Sequence, residues 1–242
     1  MQRDFGVTRS RAGLGKRGRS RVCFQLFVAL IAAQAGLGCG ARSTFDFAFD
    51  IDPDPPAPPL PEVCSPPAGA CKTRTCEPPV VAAEHVEMCS EIAFTSNPPT
   101  SGPHYPIWGL FKTYEKPLAR GFYLHDAEHS GVILLYNCKL FASEDECAET
   151  VATLNAYVAE KPADPKCDEP THNRIILTPD PELDVPYAAV AWGYSLKSDC
   201  FDRGATDAFI DAHYGKNYED FCSGGIDPTD PDAGILDGCG FF

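Results

Sequence analysis

Gly131-Val132-Ile133-Leu134-Leu135-Tyr136 is an unbroken apolar run, too short for a helix of ordinary length. A continuous run of this size predicts a buried strand. From Glu144 to Glu160, Val151, Leu154 and Val158 share one face, which predicts an amphipathic helix. Arg174 to Leu177 is a short strand closed by Pro179-Asp180-Pro181. Tyr187 to Tyr194 (YAAVAWGY) reads as a further strand with Gly193 at a bulge. Ala205 to His213 places Ala208, Phe209 and Ala212 on an apolar face, and Gly215 suits the end of that helix. The order strand-helix-strand-strand-helix predicts an α+β fold. It is expected as a single compact disulfide-stapled domain, with helices on one face of a mixed or antiparallel sheet. The domain is expected over residues 80–222, with a loop-rich first half from Val81 to Phe122 and no internal repeat.

The flanks read as export and tethering. Residues 1–38 carry Arg3, Arg9, Arg11, Lys16, Arg17, Arg19 and Arg21, then an apolar run from Val22 to about Leu37. That run is short for a membrane span and ends in small residues, as a signal peptide does. Gly36-Leu37-Gly38-Cys39 is similar to the bacterial lipobox, in which the cysteine is lipidated, although Gly36 stands where Leu is usual. Cys39 is therefore the expected lipid anchor, in a bacterial cell envelope and outside the cytoplasm. Residues 39–63 are dense in proline and aspartate and predict an extended tether. Residues 64–79 form a Cys-rich lead-in, and residues 223–242 an acidic Gly/Asp tail. The tail's aspartates lack the spacing of a calcium loop, so a floppy tail tied by Cys239 is expected.

Cysteine arithmetic agrees with export. Setting aside Cys23 and Cys39 leaves Cys64, Cys71, Cys76, Cys89, Cys138, Cys147, Cys167, Cys200, Cys222 and Cys239. An even set in an exported chain predicts disulfides, with connectivity left open. The formal net charge is −14, and loss of residues 1–38, with seven basic residues and one acidic, takes it to −20. Such a chain repels nucleic acid and anionic surfaces. There is no Gly-rich phosphate loop, so no nucleotide cofactor is expected, and no nucleophile elbow.

Four of the six histidines lie between His85 and His129. His125-Asp126-Ala127-Glu128-His129 places two imidazoles four apart, on one face of either a helix or a strand. Asn97 to Pro106 holds four prolines in ten residues and presents His104 from a stiff loop. One transition metal, Zn²⁺ or Cu, is the expected cofactor. Its expected ligands are His104, His125 and His129, with His85 or Glu128 completing the shell. Protons compete for imidazole, so affinity is expected to fall below about pH 6.

The blocks PPTSGPHYP, HDAEHSGVILLY and AAVAWG, in this order and spacing, resemble the bacterial domain of unknown function 3105 family over about His85 to His213. The family's second block usually reads H-N-L-E-H-G-G-V. This chain keeps His125, Glu128, His129 and Gly131 but has Asp126, Ala127 and Ser130. The resemblance implies domain limits and the importance of these residues, and no reaction. Two alternatives stay open: a non-catalytic surface module for a protein or glycan, whose histidines pin loops, and a metal-dependent enzyme.

Overall fold

A computed structural model describes residues 61–217 and 219–235. The signal segment, Cys39, the tether up to residue 60 and Cys239 lie outside the described residues. Among the described residues no helix is long and apolar enough to cross a membrane.

The predicted run becomes strand β5 (Val132–Tyr136), buried along its whole length. It pairs in parallel with β6 (Ile175–Pro179) and antiparallel with β7 (Tyr187–Ala191). Helix α2 (Glu144–Ala159) makes the crossover from β5 to β6 that a parallel pair requires. Its start is set by Ser143, whose side chain accepts from the Glu146 N–H, while Glu146 accepts from the Ala142 N–H. Glu144, Asp145 and Glu146 place negative charge at the helix N-terminus, where the dipole favours it.

The run Tyr187 to Tyr194 is two strands, not one. β7 ends at Ala191, Trp192-Gly193 turns, and β8 (Tyr194–Ser198) returns antiparallel. Gly193 has φ +80° and serves the turn, not a bulge. The lead-in adds β1 (Val63–Cys64) and β2 (Arg74–Glu77), giving a six-stranded mixed sheet in the order β1-β2-β8-β7-β5-β6. Helix α3 (Arg203–His213) starts on Asp202, which accepts from the Ala205 N–H, and Gly215 follows it at φ +67°.

The α+β class holds, but the helices do not share a face. Alternate residues of β5 point to opposite sides of the sheet. Val132 and Leu134 join Leu154 and Tyr157 of α2 and Phe209 of α3 in one core. Ile133 and Leu135 join Phe122, Tyr123 and Ala127 of a further helix, α1 (Arg120–Glu128), in the other. That helix lies across the boundary of the expected loop-rich half. Within that half, the strands before it are the two-residue parallel pair β3 (Glu84–His85) and β4 (Pro103–His104).

Disulfides staple this frame at Cys64–Cys76, Cys71–Cys200, Cys138–Cys147 and Cys167–Cys222, and Cys89 is also disulfide-bonded. The tail is docked rather than floppy as far as residue 235. Ile226 exchanges backbone hydrogen bonds with Trp108 and Leu110 at 3.1 and 2.6 Å, and Asp227 pairs with Lys112. The cause is apolar: Ile226 and Ile235 pack against the α1 core.

Candidate metal centre

The α1 helix is buried from Arg120 to Glu128, including four polar or charged residues besides its apolar ones. Burying charge is costly unless each group is paired. Arg120 meets this by a two-pronged contact with Asp180 at 3.0 Å through each of Nε and Nη2, and Tyr123 donates to the same carboxylate at 3.1 Å. This network fixes the first turn of α1 to the end of β6. Gly121 allows the closest approach. A Cβ there would lie 2.7 Å from the Tyr105 ring, so the proline-rich loop sits flush on the helix.

That contact aims two histidines. One turn after Gly121, the His125 Nδ1 lies 2.7 Å from the Tyr105 carbonyl. The His104 Nδ1 lies 2.9 Å from the Gly102 carbonyl of the same loop. A carbonyl can only accept, so each Nδ1 carries a hydrogen, and each Nε2 is the ring nitrogen left for another partner. A backbone acceptor behind the ring is the usual support of a metal-ligating histidine. The loop is held in turn by the β7–β8 hairpin, since the Gly193 N–H donates to the Thr100 carbonyl at 2.7 Å. Trp192 closes edge-on over His104, with ring centroids 5.8 Å apart.

His85 arrives beside His104 because β3 and β4 pair in register His85↔His104. Ring centroids are 5.0 Å for His85–His104, 4.9 Å for His85–His125 and 4.7 Å for His104–His125. Three imidazoles around a tetrahedral zinc, with Zn–N near 2.0–2.1 Å, place their centroids about 5 Å apart. The triangle therefore matches one ion. Glu128 completes it: His85, His104, His125 and Glu128 each offer a ligand atom within 4.8 Å of the others.

The contact between His104 and Glu128 is the most informative in the site. Nε2 of His104 lies 3.0 Å from Oε2 of Glu128, and both side chains are almost fully buried. Yet Nε2 has no hydrogen-bond partner. Two buried polar atoms this close, with no hydrogen bond between them, are an arrangement that a shared cation satisfies. Two ligands on one ion stand about this far apart.

His129 falls in a neighbouring group, with Glu128 and Glu219. Its Nε2 is 3.3 Å from Oε2 of Glu219, and its ring lies 4.6 Å from that of His125. Of the expected trio, then, His104 and His125 converge with both His85 and Glu128, and His129 stands one helical turn aside. Glu219, Trp108 and Phe221 were not legible as site residues. They line, with His85, His125, Glu128 and His129, a cavity of about 510 Å³. A carboxylate 91 residues along the chain from Glu128 gives no local signal. Burial holds the His125 and His129 pKa values down at about 4, and the Tyr105 carbonyl opposes the shift at His125 only in part. Both rings are thus neutral, the ligating form, at neutral pH.

A mixed-sheet α+β domain, stapled by disulfides and carrying His/Glu groups able to hold a metal ion, is the class these features define. The family model described as Protein of unknown function (DUF3105) matches residues 85–224, more than half of the chain, and the chain belongs to that family. The match begins at His85 and includes Glu219, so it spans both of these His/Glu groups. No curated protein and no solved structure matches.

Proposed function

We propose that the chain is an exported, lipid-anchored protein of the bacterial envelope whose domain binds a transition-metal ion through His85, His104, His125 and Glu128. The observation that carries the metal reading is the buried His104 Nε2, facing Glu128 at 3.0 Å with no hydrogen bond. Three imidazoles and a carboxylate are a donor set that suits Zn²⁺ or Cu²⁺, and Zn²⁺ is the ion taken for the tests. The disulfides support the exported reading, since such bonds persist in oxidising compartments. Cys39 after a short apolar run supports the anchor.

Thermal melts test the metal reading against loop pinning. Zn²⁺ at about 1,000 times its Kd stabilises the chain by about 4 kcal/mol. A strong chelator removes that gain, and His104→Ala removes the response to Zn²⁺. If the histidines only pin loops, His104→Ala lowers the melting temperature while chelator and Zn²⁺ leave the parent chain unchanged.

A further inference from the structure

Glu128 belongs to two ligand groups at once: with His85, His104 and His125, and with His129 and Glu219. A carboxylate has two oxygens, so one can face each group. We propose that the centre is dinuclear, with a second divalent cation held by His129 and Glu219 and bridged to the first through Glu128. The proposal rests on the metal reading of the first group.

The second group is built into the fold. Helix α1 ends in a left-handed turn at Ser130, φ +65°, where the Ser130 N–H donates to the Ala127 carbonyl at 3.1 Å and the Gly131 N–H to Asp126 at 3.0 Å. A Cβ at Gly131 would lie 2.7 Å from the Asp126 carbonyl, so glycine is needed there. The chain after α3 is stitched to this turn. Gly215 N–H donates to the Ser130 carbonyl at 3.0 Å, Asn217 N–H to Ser130 Oγ at 3.0 Å, and Asn217 Nδ2 to the Glu128 carbonyl at 2.7 Å. Ser130 Oγ in turn donates to the Glu219 carbonyl at 3.3 Å. The backbone of Glu219 is thereby fixed beside the helix end that carries Glu128 and His129.

The rings set the direction of His129. Trp108 and Phe221 stand edge-on to it at 4.6 and 4.7 Å, leaving Nε2 towards Glu219. Charge also fits. A single ion with Glu128 leaves one excess positive charge, which would repel a second ion, and Glu219 offsets it. Two-metal sites place their ions about 3.5–4 Å apart, within the span of one bridging carboxylate. The first group supplies four protein ligands, a closed shell. The second supplies three, one of them half-exposed, and faces the 510 Å³ cavity that admits ions and water. It is therefore the weaker and more open position.

Titration of the untagged full chain with Zn²⁺, followed by calorimetry and native mass spectrometry, tests this. The expected isotherm has two phases and ends at close to two equivalents. Glu219→Gln and His129→Ala, each checked for folding by circular dichroism, end at close to one equivalent with the tight phase kept. A parent chain that saturates at one equivalent overturns the dinuclear centre and leaves the first site standing. So does a Glu219→Gln chain that still takes two. A parent chain that takes none overturns both readings.

Discussion

His125 and His129 are buried neutral, with pKa values near 4, whereas an exposed histidine titrates near 6.5. Between these values the unfolded chain binds more protons than the folded one, so stability without metal falls as pH drops from about 6.5 to about 4. Asp126 acts in the opposite sense. Burial raises its pKa well above 3.8; one oxygen accepts only the Gly109 N–H at 2.9 Å, and the other has no hydrogen bond. Its contribution is full below 3.8 and is lost as pH rises towards its folded value. The two histidines, joined by His213, whose burial also lowers its pKa, outweigh one carboxylate below 6.5. Asp220, held low by hydrogen bonds from Lys166 and Arg174, matters only below about pH 4. Melts in chelator should therefore show stability falling by a few kcal/mol as pH drops from about 6.5 to about 4. Asp126→Asn should steepen that acid-side loss, because a raised carboxylate pKa opposes the histidine effect. A parent curve that is flat from pH 4 to 8 contradicts this assignment. For metal affinity, burial of His125 moves proton competition at that ligand below the pH 6 expected from an ordinary imidazole.

At the scale of elements, the junction of α1 with β6 rests on Asp180 facing Arg120 and Tyr123, and Arg120 also donates to Asn97. Removing one partner of a buried pair strands the other charge. Asp180→Ala should cost about 3–5 kcal/mol in denaturant unfolding, and a loss under about 1 kcal/mol would show that the pair does not hold the helix. The same helix explains what the sequence showed and what it hid. β5 was legible as an unbroken apolar run buried on both faces, and α2 and α3 because their apolar residues recur with the helical period. α1 was hidden because it is buried all round, with Arg120, His125, Asp126 and Glu128 inward, so no apolar stripe marks it. The β7–β8 hairpin was half-legible. The turn glycine stood out, but Tyr194 to Ser198 carries too few apolar residues to announce a strand. The histidine blocks were legible as a cluster, and the proline loop is the segment that carries His104. Glu219 reaches the site only through the stitching of the α3 exit to Ser130, a tertiary fact with no local pattern.

For the whole molecule, the sheet, two flanking cores and disulfides place the ligand groups on the α1 side, under a loop fixed by prolines and by the β7–β8 turn. The proposed setting outside the cytoplasm has its own check. Cys39→Ser should move the chain from the membrane fraction to the soluble fraction of its host, and a variant that still pellets with membranes contradicts the lipid anchor. A formal charge of −14 favours cations near the surface without selecting any one of them. In the proposed site, selection comes from the His85, His104, His125 and Glu128 geometry. The most direct test is the metal content, by mass spectrometry, of the untagged full chain after reconstitution with Zn²⁺ and removal of free ion. The account predicts at least one tightly held equivalent per chain, and loss of the tight equivalent in a folded His104→Ala variant. Substoichiometric metal in the parent chain, or full retention in that variant, would contradict it.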